Sequence, residues 1–208
     1  MSVTKHTLRR QMALALREFR PDEVLNQSRC IAKNVSNLRA FKEATAICVY
    51  LSMARSEAST DAILEYAFET KKTVYVPKIT GQTAKDMKMV KVVSFKDIAT
   101  FPKDKWSIPD PHPSLHGKLR QDPLDMLDLD LIIIPGVAFD RTGARLGHGK
   151  GYYDCYLQRL KETYCSRDIP LPKTIGIGFS CQLIPSVPTT THDQSLDFIV
   201  TPSETIVL

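Results

Sequence analysis

Leu131-Ile132-Ile133-Ile134 is the most apolar stretch of the chain, and Pro135-Gly136-Val137-Ala138-Phe139-Asp140-Arg141-Thr142-Gly143-Ala144-Arg145-Leu146-Gly147-His148-Gly149-Lys150-Gly151 follows it directly. A short unbroken apolar run bounded by turn residues reads as a strand buried on both faces, and so as a central strand. The glycine-rich loop ends it, and a helix is expected from about Tyr152 to Tyr164. Outward from this unit, Ala46 to Leu51 reads as a buried strand and Thr60 to Lys72 as a helix carrying Ile63, Leu64, Ala67 and Phe68 on one side. Thr73 to Val76 reads as strand again, and strand-helix-strand implies parallel pairing.

Two amphipathic helices open the chain, the first on Leu8, Met12, Ala15, Leu16 and Phe19. The second follows Pro21-Asp22-Glu23 on Val24, Ile31, Val35 and Leu38. Met87 to Val93 alternates as a half-exposed strand. Phe101 to Pro123 is an irregular crossing with five prolines, Thr174 to Phe179 is a strand, and Asp197 to Val200 is expected to be the last strand. The expected fold is α/β: one domain over residues 1–208, with a mainly parallel sheet covered by helices on both faces, a three-layer sandwich. In such sheets ligands bind outside the carboxyl ends of the strands. That rule points to the loops after Ile134, after Leu51 with its Glu57, and after Val76 with its Lys78.

Composition excludes several classes. A chain of 208 residues that is 43% hydrophobic and 25% charged is neither disordered nor fibrous. Its longest apolar run, Leu131 to Phe139, is broken by Pro135 and is far short of the roughly 20 residues that cross a bilayer. Cys30, Cys48, Cys155, Cys165 and Cys181 are odd in number and form no C-x-x-C pair, so they read as reduced thiols of an intracellular protein. Asn26-Gln27-Ser28 and Asn34-Val35-Ser36 match the glycosylation acceptor by chance, inside a helix. Residues 1–42 hold nine Lys or Arg against three Asp or Glu, so the basic excess is local and suits phosphate groups. With only Phe19 and Phe41 among these cations, a small polyanion is favoured over nucleic acid, and a transit peptide is the less favoured use of the segment.

Glycines 147, 149 and 151 let backbone N–H groups converge on an anion, the following helix N-terminus favours negative charge, and Arg145 and Lys150 add full positive charges. Asp154 lies in the first turn of that helix. It becomes a magnesium ligand if a second oxygen donor approaches, and Asp193, in the polar loop from Thr189 to Ser195, is the candidate.

The run from Pro135 to Asp154 has company elsewhere in the chain. Lys5-x-x-Leu8-Arg9, Leu51-Ser52-Met53 before Glu57-x-x-Thr60, Trp106-x-Ile108-Pro109-x-Pro111 and Val187-Pro188 before Asp193 stand with it in order. Together they resemble the 5-formyltetrahydrofolate cyclo-ligases, also called methenyltetrahydrofolate synthetases, over nearly the whole chain. The resemblance implies an ATP- and magnesium-dependent ligase of one-carbon metabolism that closes 5-formyltetrahydrofolate to 5,10-methenyltetrahydrofolate and releases ADP and phosphate. It assigns ATP to Lys5, Arg9, Arg145, Leu146, Gly147, His148, Gly149, Lys150, Gly151, Tyr152 and Tyr153, with Lys150 and Arg145 as catalytic cations. Folate is assigned to Leu51, Glu57, Trp106, His148, Gly149, Lys150, Gly151 and Tyr152, and Mg2+ to Asp154 and Asp193. Where this chain has His148 some members have arginine, and the stretch before Glu57 is one residue longer than in some, which makes Ser56 and Ser59 its alternatives. The implied partners are folate and ATP, with no nucleic acid or membrane, in a cytoplasmic monomer; a mitochondrial pool is the lesser alternative. A non-catalytic nucleotide or RNA binder, and a sugar-phosphate isomerase or coenzyme A transferase, are the competing readings. Neither accounts for the full glycine motif together with both aspartates.

Overall fold

The computed structural model describes residues 4–53, 56–105 and 107–208. Trp106, expected at the folate, lies outside the described residues. Along the chain come α1 (Lys5–Arg17), α2 (Pro21–Asn37), α3 (Arg39–Glu43), β1 (Ala46–Val49), α4 (Asp61–Glu69), β2 (Thr73–Ile79), β3 (Met87–Val92) and α5 (Phe95–Ala99). They are followed by β4 (Ser114–Leu115), β5 (Lys118–Leu119), α6 (Pro123–Met126), β6 (Leu131–Pro135), β7 (Ala138–Phe139), β8 (Arg145–Leu146), α7 (Tyr152–Cys165), β9 (Lys173–Ile177), β10 (Phe198–Val200) and β11 (Thr205–Val207).

A 7-stranded sheet runs in the order β11-β10-β9-β6-β1-β2-β3, so the apolar strand β6 stands in the middle, where its composition placed it. The pairs from β10 through to β2 are parallel, and β3 and β11 close the two edges antiparallel. The parallel strands send alternate side chains to opposite faces, and each face has its own core. Ile47, Val49, Ile133 and Ile175 pack against Ile31 and Val35 of α2 and Ile63 and Leu64 of α4. Cys48, Ile132, Ile134 and Ile199 pack against Tyr156, Leu157 and Leu160 of α7. A third, smaller cluster seats Leu8 of α1 on Val137, Ala138, Ala144 and Leu146 of the β7–β8 hairpin and on Val187.

Three local expectations are corrected. The strand at 198–200 is not the last, because Thr205–Val207 returns antiparallel beside it. β3 is more buried than a half-exposed strand: Met87 and Met89 enter the α7-side core while Val90 and Val92 enter the opposite one. The irregular crossing from Phe101 to Pro123 contains a tight hairpin, β4–β5, turning on His116 (φ 51°) and Gly117 (φ 75°), the signature of a two-residue turn with both φ positive. Arg120 anchors this crossing. Its guanidinium is 2% exposed and makes paired bonds of 2.6 and 2.7 Å to Asp97.

Candidate active site

The strand order reverses between neighbours β1 and β6: the chain leaves β1 toward β2 on one side and β6 toward β9 on the other. A crevice opens at the carboxyl ends of such a pair because their outgoing loops diverge. Here those loops carry Leu51 and Glu57 on one side and the glycine-rich segment on the other.

The β1 loop is stapled from within. The Thr60 hydroxyl donates to the Tyr50 carbonyl (2.7 Å), the Tyr50 hydroxyl donates to the Ala58 carbonyl (2.9 Å), and the Met53 N–H donates to Glu57 Oε2 (2.8 Å). Leu51 is buried in its wall. Glu57, with its side chain 5% exposed, is left with Oε1 toward the glycine-rich loop, where His148 Nε2 lies 3.4 Å away. Of the three candidates in this loop it is thus Glu57 that meets His148, while the Ser59 N–H donates to the Ser28 hydroxyl. Burial pushes the Tyr50 phenol well up, and the Glu57 carboxylate adds to the effect, so this phenol stays protonated beside it. Tyr153 is also raised, by burial first and then by the charges of Cys48 and Glu57.

The root of the glycine-rich segment is organised by Asp140, which the sequence alone did not single out. Its carboxylate accepts from the Thr142 hydroxyl (2.6 Å) and from the N–H groups of Thr142 (2.8 Å), Ala144 (3.3 Å) and Val187 (2.7 Å). Burial pushes this carboxyl up, but the four bonds outweigh it and hold it below the usual carboxylate range. The hairpin is thereby tied to the segment that leads to Asp193.

Arg145, assigned to ATP with the rest of the loop, has its side chain 4% exposed and lies under the loop. Nη2 donates to Asp154 Oδ1 (2.9 Å), Nη1 leans on the Pro135 carbonyl (3.4 Å), and the guanidinium stands 5.8 Å from the Tyr153 ring centre. These partners draw it inward. A Cβ on Gly147 would fall 2.7 Å from Arg145 Nη1, so a side chain there would push the guanidinium off this position.

At the tip, His148, Gly149, Lys150 and Gly151 are exposed. Gly149 (φ 102°) and Gly151 (φ 72°) occupy backbone conformations that disfavour side chains. Gly151 begins α7 without a side-chain cap, so the first amides of a 14-residue helix face the tip. Lys150 has no ion pair among the described residues. Tyr152 and Tyr153 are partly buried against the α7-side core, and Leu146 is buried in the β7–β8 ladder.

Helix α1 closes the third side. Arg9 Nε donates to the Gly147 carbonyl (2.8 Å), and Lys5 Nζ, one turn earlier, donates to Asp193 Oδ2 (2.5 Å). Burial pushes the Asp193 carboxyl up, but Lys5 and the Thr190 amide and hydroxyl outweigh it and hold it low. The Gln194 N–H reaches Asp154 Oδ1 (3.4 Å), so the loop before β10 folds onto the start of α7. Lys78, in contrast, is tied to Asp110 (2.9 Å) of the proline-rich crossing.

Asp154 and Asp193 are donors of the type that magnesium takes. The ion uses one or two carboxylates with phosphate and water completing its shell. Asp154 Oδ2 and Asp193 Oδ1 each lie outside the hydrogen bonds just described, so both carboxylates keep an oxygen for a cation. Among the described residues no group of three or more His, Cys, Asp or Glu is placed to hold a metal ion.

A cleft of about 590 Å³ opens between α1 and the crevice, lined by Arg9, Arg17, Phe19, Ser56, Val137 and His148 among others. That is the size of a small-molecule site. Ser56, the alternative to Glu57, thus borders the cleft as well, whereas Arg17 and Phe19 were not singled out from the sequence as site residues; the basic excess of residues 1–42 was the available signal for Arg17.

Fold and site together define a doubly wound α/β protein with an exposed glycine-rich loop and a helix N-terminus at its topological switch point. The chain belongs to the 5-formyltetrahydrofolate cyclo-ligase family, whose model matches residues 1–202. It is 34% identical over 209 residues to the probable 5-formyltetrahydrofolate cyclo-ligase of Schizosaccharomyces pombe, covering 99% of this chain and 98% of that one. It is 33% identical over 196 residues to the 5-formyltetrahydrofolate cyclo-ligase of Mus musculus, covering 94% and 92%. The solved structure of Aquifex aeolicus 5,10-methenyltetrahydrofolate synthetase superposes with a TM-score of 0.76 at 25% identity, over 99% of this chain and 93% of that one. Among the described residues no helix is long and apolar enough to cross a membrane.

Proposed function

We propose that this chain, acting as a single domain, uses ATP to close 5-formyltetrahydrofolate to 5,10-methenyltetrahydrofolate by phosphorylating the formyl oxygen. The observation that carries the reading is the meeting of Glu57 from the β1 loop, His148 from the glycine-rich loop and Arg9 from α1 around one cleft at the switch point.

A formamide oxygen is a poor leaving group. In the proposed reaction it attacks the γ-phosphorus of ATP, ADP departs, and the carbon is left as an N5 iminium bearing phosphate. N10 then adds to that carbon, phosphate leaves with the former formyl oxygen, and the N10 proton is lost to solvent. Such chemistry asks the protein mainly for positioning and charge neutralisation. Lys150, the tip amides from Gly147 to Tyr153, Lys5 and Arg9 supply donors to the phosphates. Arg145 acts from beneath, its charge adding to the field at the loop while it holds Asp154. Asp154 and Asp193 would hold magnesium, whose chemistry there is to neutralise phosphate charge. Glu57 accepts the paired N–H donors of the aminopyrimidinone ring in place of His148, with Leu51 and the loop from His148 to Tyr152 against the folate. Trp106 is assigned to the folate by the family resemblance alone. The protein is proposed to act as a cytoplasmic monomer on small molecules.

Substrate labelled with ¹⁸O in the formyl group tests this route. The expected result is one labelled oxygen in the phosphate released per methenyl product. Label found in water with none in phosphate would reject phosphorylation of the formyl oxygen.

A further inference from the structure

Past Glu57 and His148 the 590 Å³ cleft continues along α1 to Arg17 and Phe19, which have no part in the proposed chemistry. Phe19 is held from behind: its ring meets Phe179 edge-on, with centroids 5.2 Å apart and planes at 60°, and its other side borders the cleft beside Leu16. Arg17 is the last residue of α1, exposed, and no carboxylate among the described residues pairs with it. Arg9 bonds the glycine-rich loop at the inner end. The helical rise of about 1.5 Å per residue puts Arg17 about 12 Å further out along the same helix. The inner end thus meets the buried Glu57 carboxylate through His148, and the part along α1 is lined by Leu16, the Phe19 ring and the Arg17 guanidinium.

We propose that the outer half of this cleft is a subsite for an aryl amide bearing carboxylates, with the aryl ring against Phe19 and a carboxylate on Arg17. The proposal rests on the folate reaction argued above: 5-formyltetrahydrofolate carries an aminobenzoyl group ending in a glutamate dianion, in that order outward from its pterin. A guanidinium suits a carboxylate because its paired N–H groups match two oxygens, and an aromatic wall suits an aryl ring. Phosphates are the other anions at hand, but their donors are gathered at the inner end, around the tip amides, Lys150 and Arg9.

KM measured for 5-formyltetrahydrofolate, for the methylamide of 5-formyltetrahydropteroate, which carries neither the glutamate nor any free carboxylate, and for ATP separates these possibilities. Arg17→Ala is expected to raise KM for the glutamate-bearing substrate about 10-fold, the size of one charge-assisted pair, with kcat unchanged. KM for the methylamide and for ATP should not move, and Arg17→Lys should recover part of the loss. An equal rise for both folates, a rise confined to ATP, or no change would each overturn the subsite. No methenyl product from the unsubstituted protein with either folate would instead overturn the reaction on which the subsite rests. Because Arg17 is exposed at a helix end, its replacement leaves the core intact.

Discussion

At the root of the β7–β8 hairpin, Asp140 is 3% exposed and its carboxylate is saturated by Thr142, Ala144 and Val187. At the tip Lys150 stands exposed between two glycines of positive φ. The two regions belong to one segment of the chain and share its glycine-rich composition. The root is fixed by bonds that leave no polar group on Asp140 free, so it sets where the tip begins. Donors at the tip are left to a ligand. In the proposed reaction the tip amides meet the ATP phosphates from a frame that the root already holds, so that frame need not rearrange.

Substitutions should separate root from tip by their readout. Lys150→Ala should lower kcat by about 10²-fold or more, as when a preorganised donor to developing charge is lost, with the unfolding midpoint unchanged. Steady-state kinetics with a thermal melt checks both halves, and near-normal kcat would remove Lys150 from the chemistry.

Asp140→Ala should do the reverse. It leaves buried amides of Ala144 and Val187 without an acceptor and should cost about 2 kcal/mol of stability, measured by denaturant unfolding. The same carboxylate predicts a pH dependence. Its folded pKa is depressed, so its contribution is fully present above the unfolded value of about 4 and is lost as pH falls through the folded value. The stability of Asp140→Ala should accordingly fall less steeply below about pH 4 than that of the unsubstituted chain. Parallel acid curves would show that Asp140 does not organise the root.

The sequence made the sheet legible where burial dictates composition. Leu131 to Ile134 could be placed centrally because a strand covered on both faces must be apolar throughout. The start of α7 was equally plain, since the glycines before Tyr152 cannot continue a helix. β11 escaped because a three-residue edge strand with two exposed side chains carries too little pattern to separate from a loop. The β7–β8 pairing escaped because glycine-rich composition reads as loop, whereas the ladder is fixed by Asp140 and by contacts from Val187, distant in sequence. For the site, residue types were readable and directions were not. Arg145 announces a positive charge, but only the fold shows that Asp154 and the Pro135 carbonyl turn it inward. The contact between Glu57 and His148 depends on β1 and β6 being neighbours, which strand order decides. Arg17 and Phe19 line the cleft only because α1 lies across the switch point.

The smallest effect is expected at Cys155. It follows Asp154 on α7 and is partly buried, and the proposed chemistry uses no protein nucleophile. Cys155→Ser should leave kcat within about twofold of its original value, and a folded variant that binds ATP without turnover would require a covalent route. Burial pushes the Cys48 thiol well up, which fits a packing role for it on the α7-side core.

The most direct test is to incubate the purified protein with 5-formyltetrahydrofolate, ATP and magnesium while following the near-ultraviolet absorbance of the conjugated methenyl product. Absorbance should rise with ADP formed in equal amount. The rise should vanish when magnesium is chelated, and Asp154→Asn or Asp193→Asn should each need more magnesium to reach the same rate. ADP release without methenyl product, or methenyl product formed at the same rate without ATP, would contradict the account.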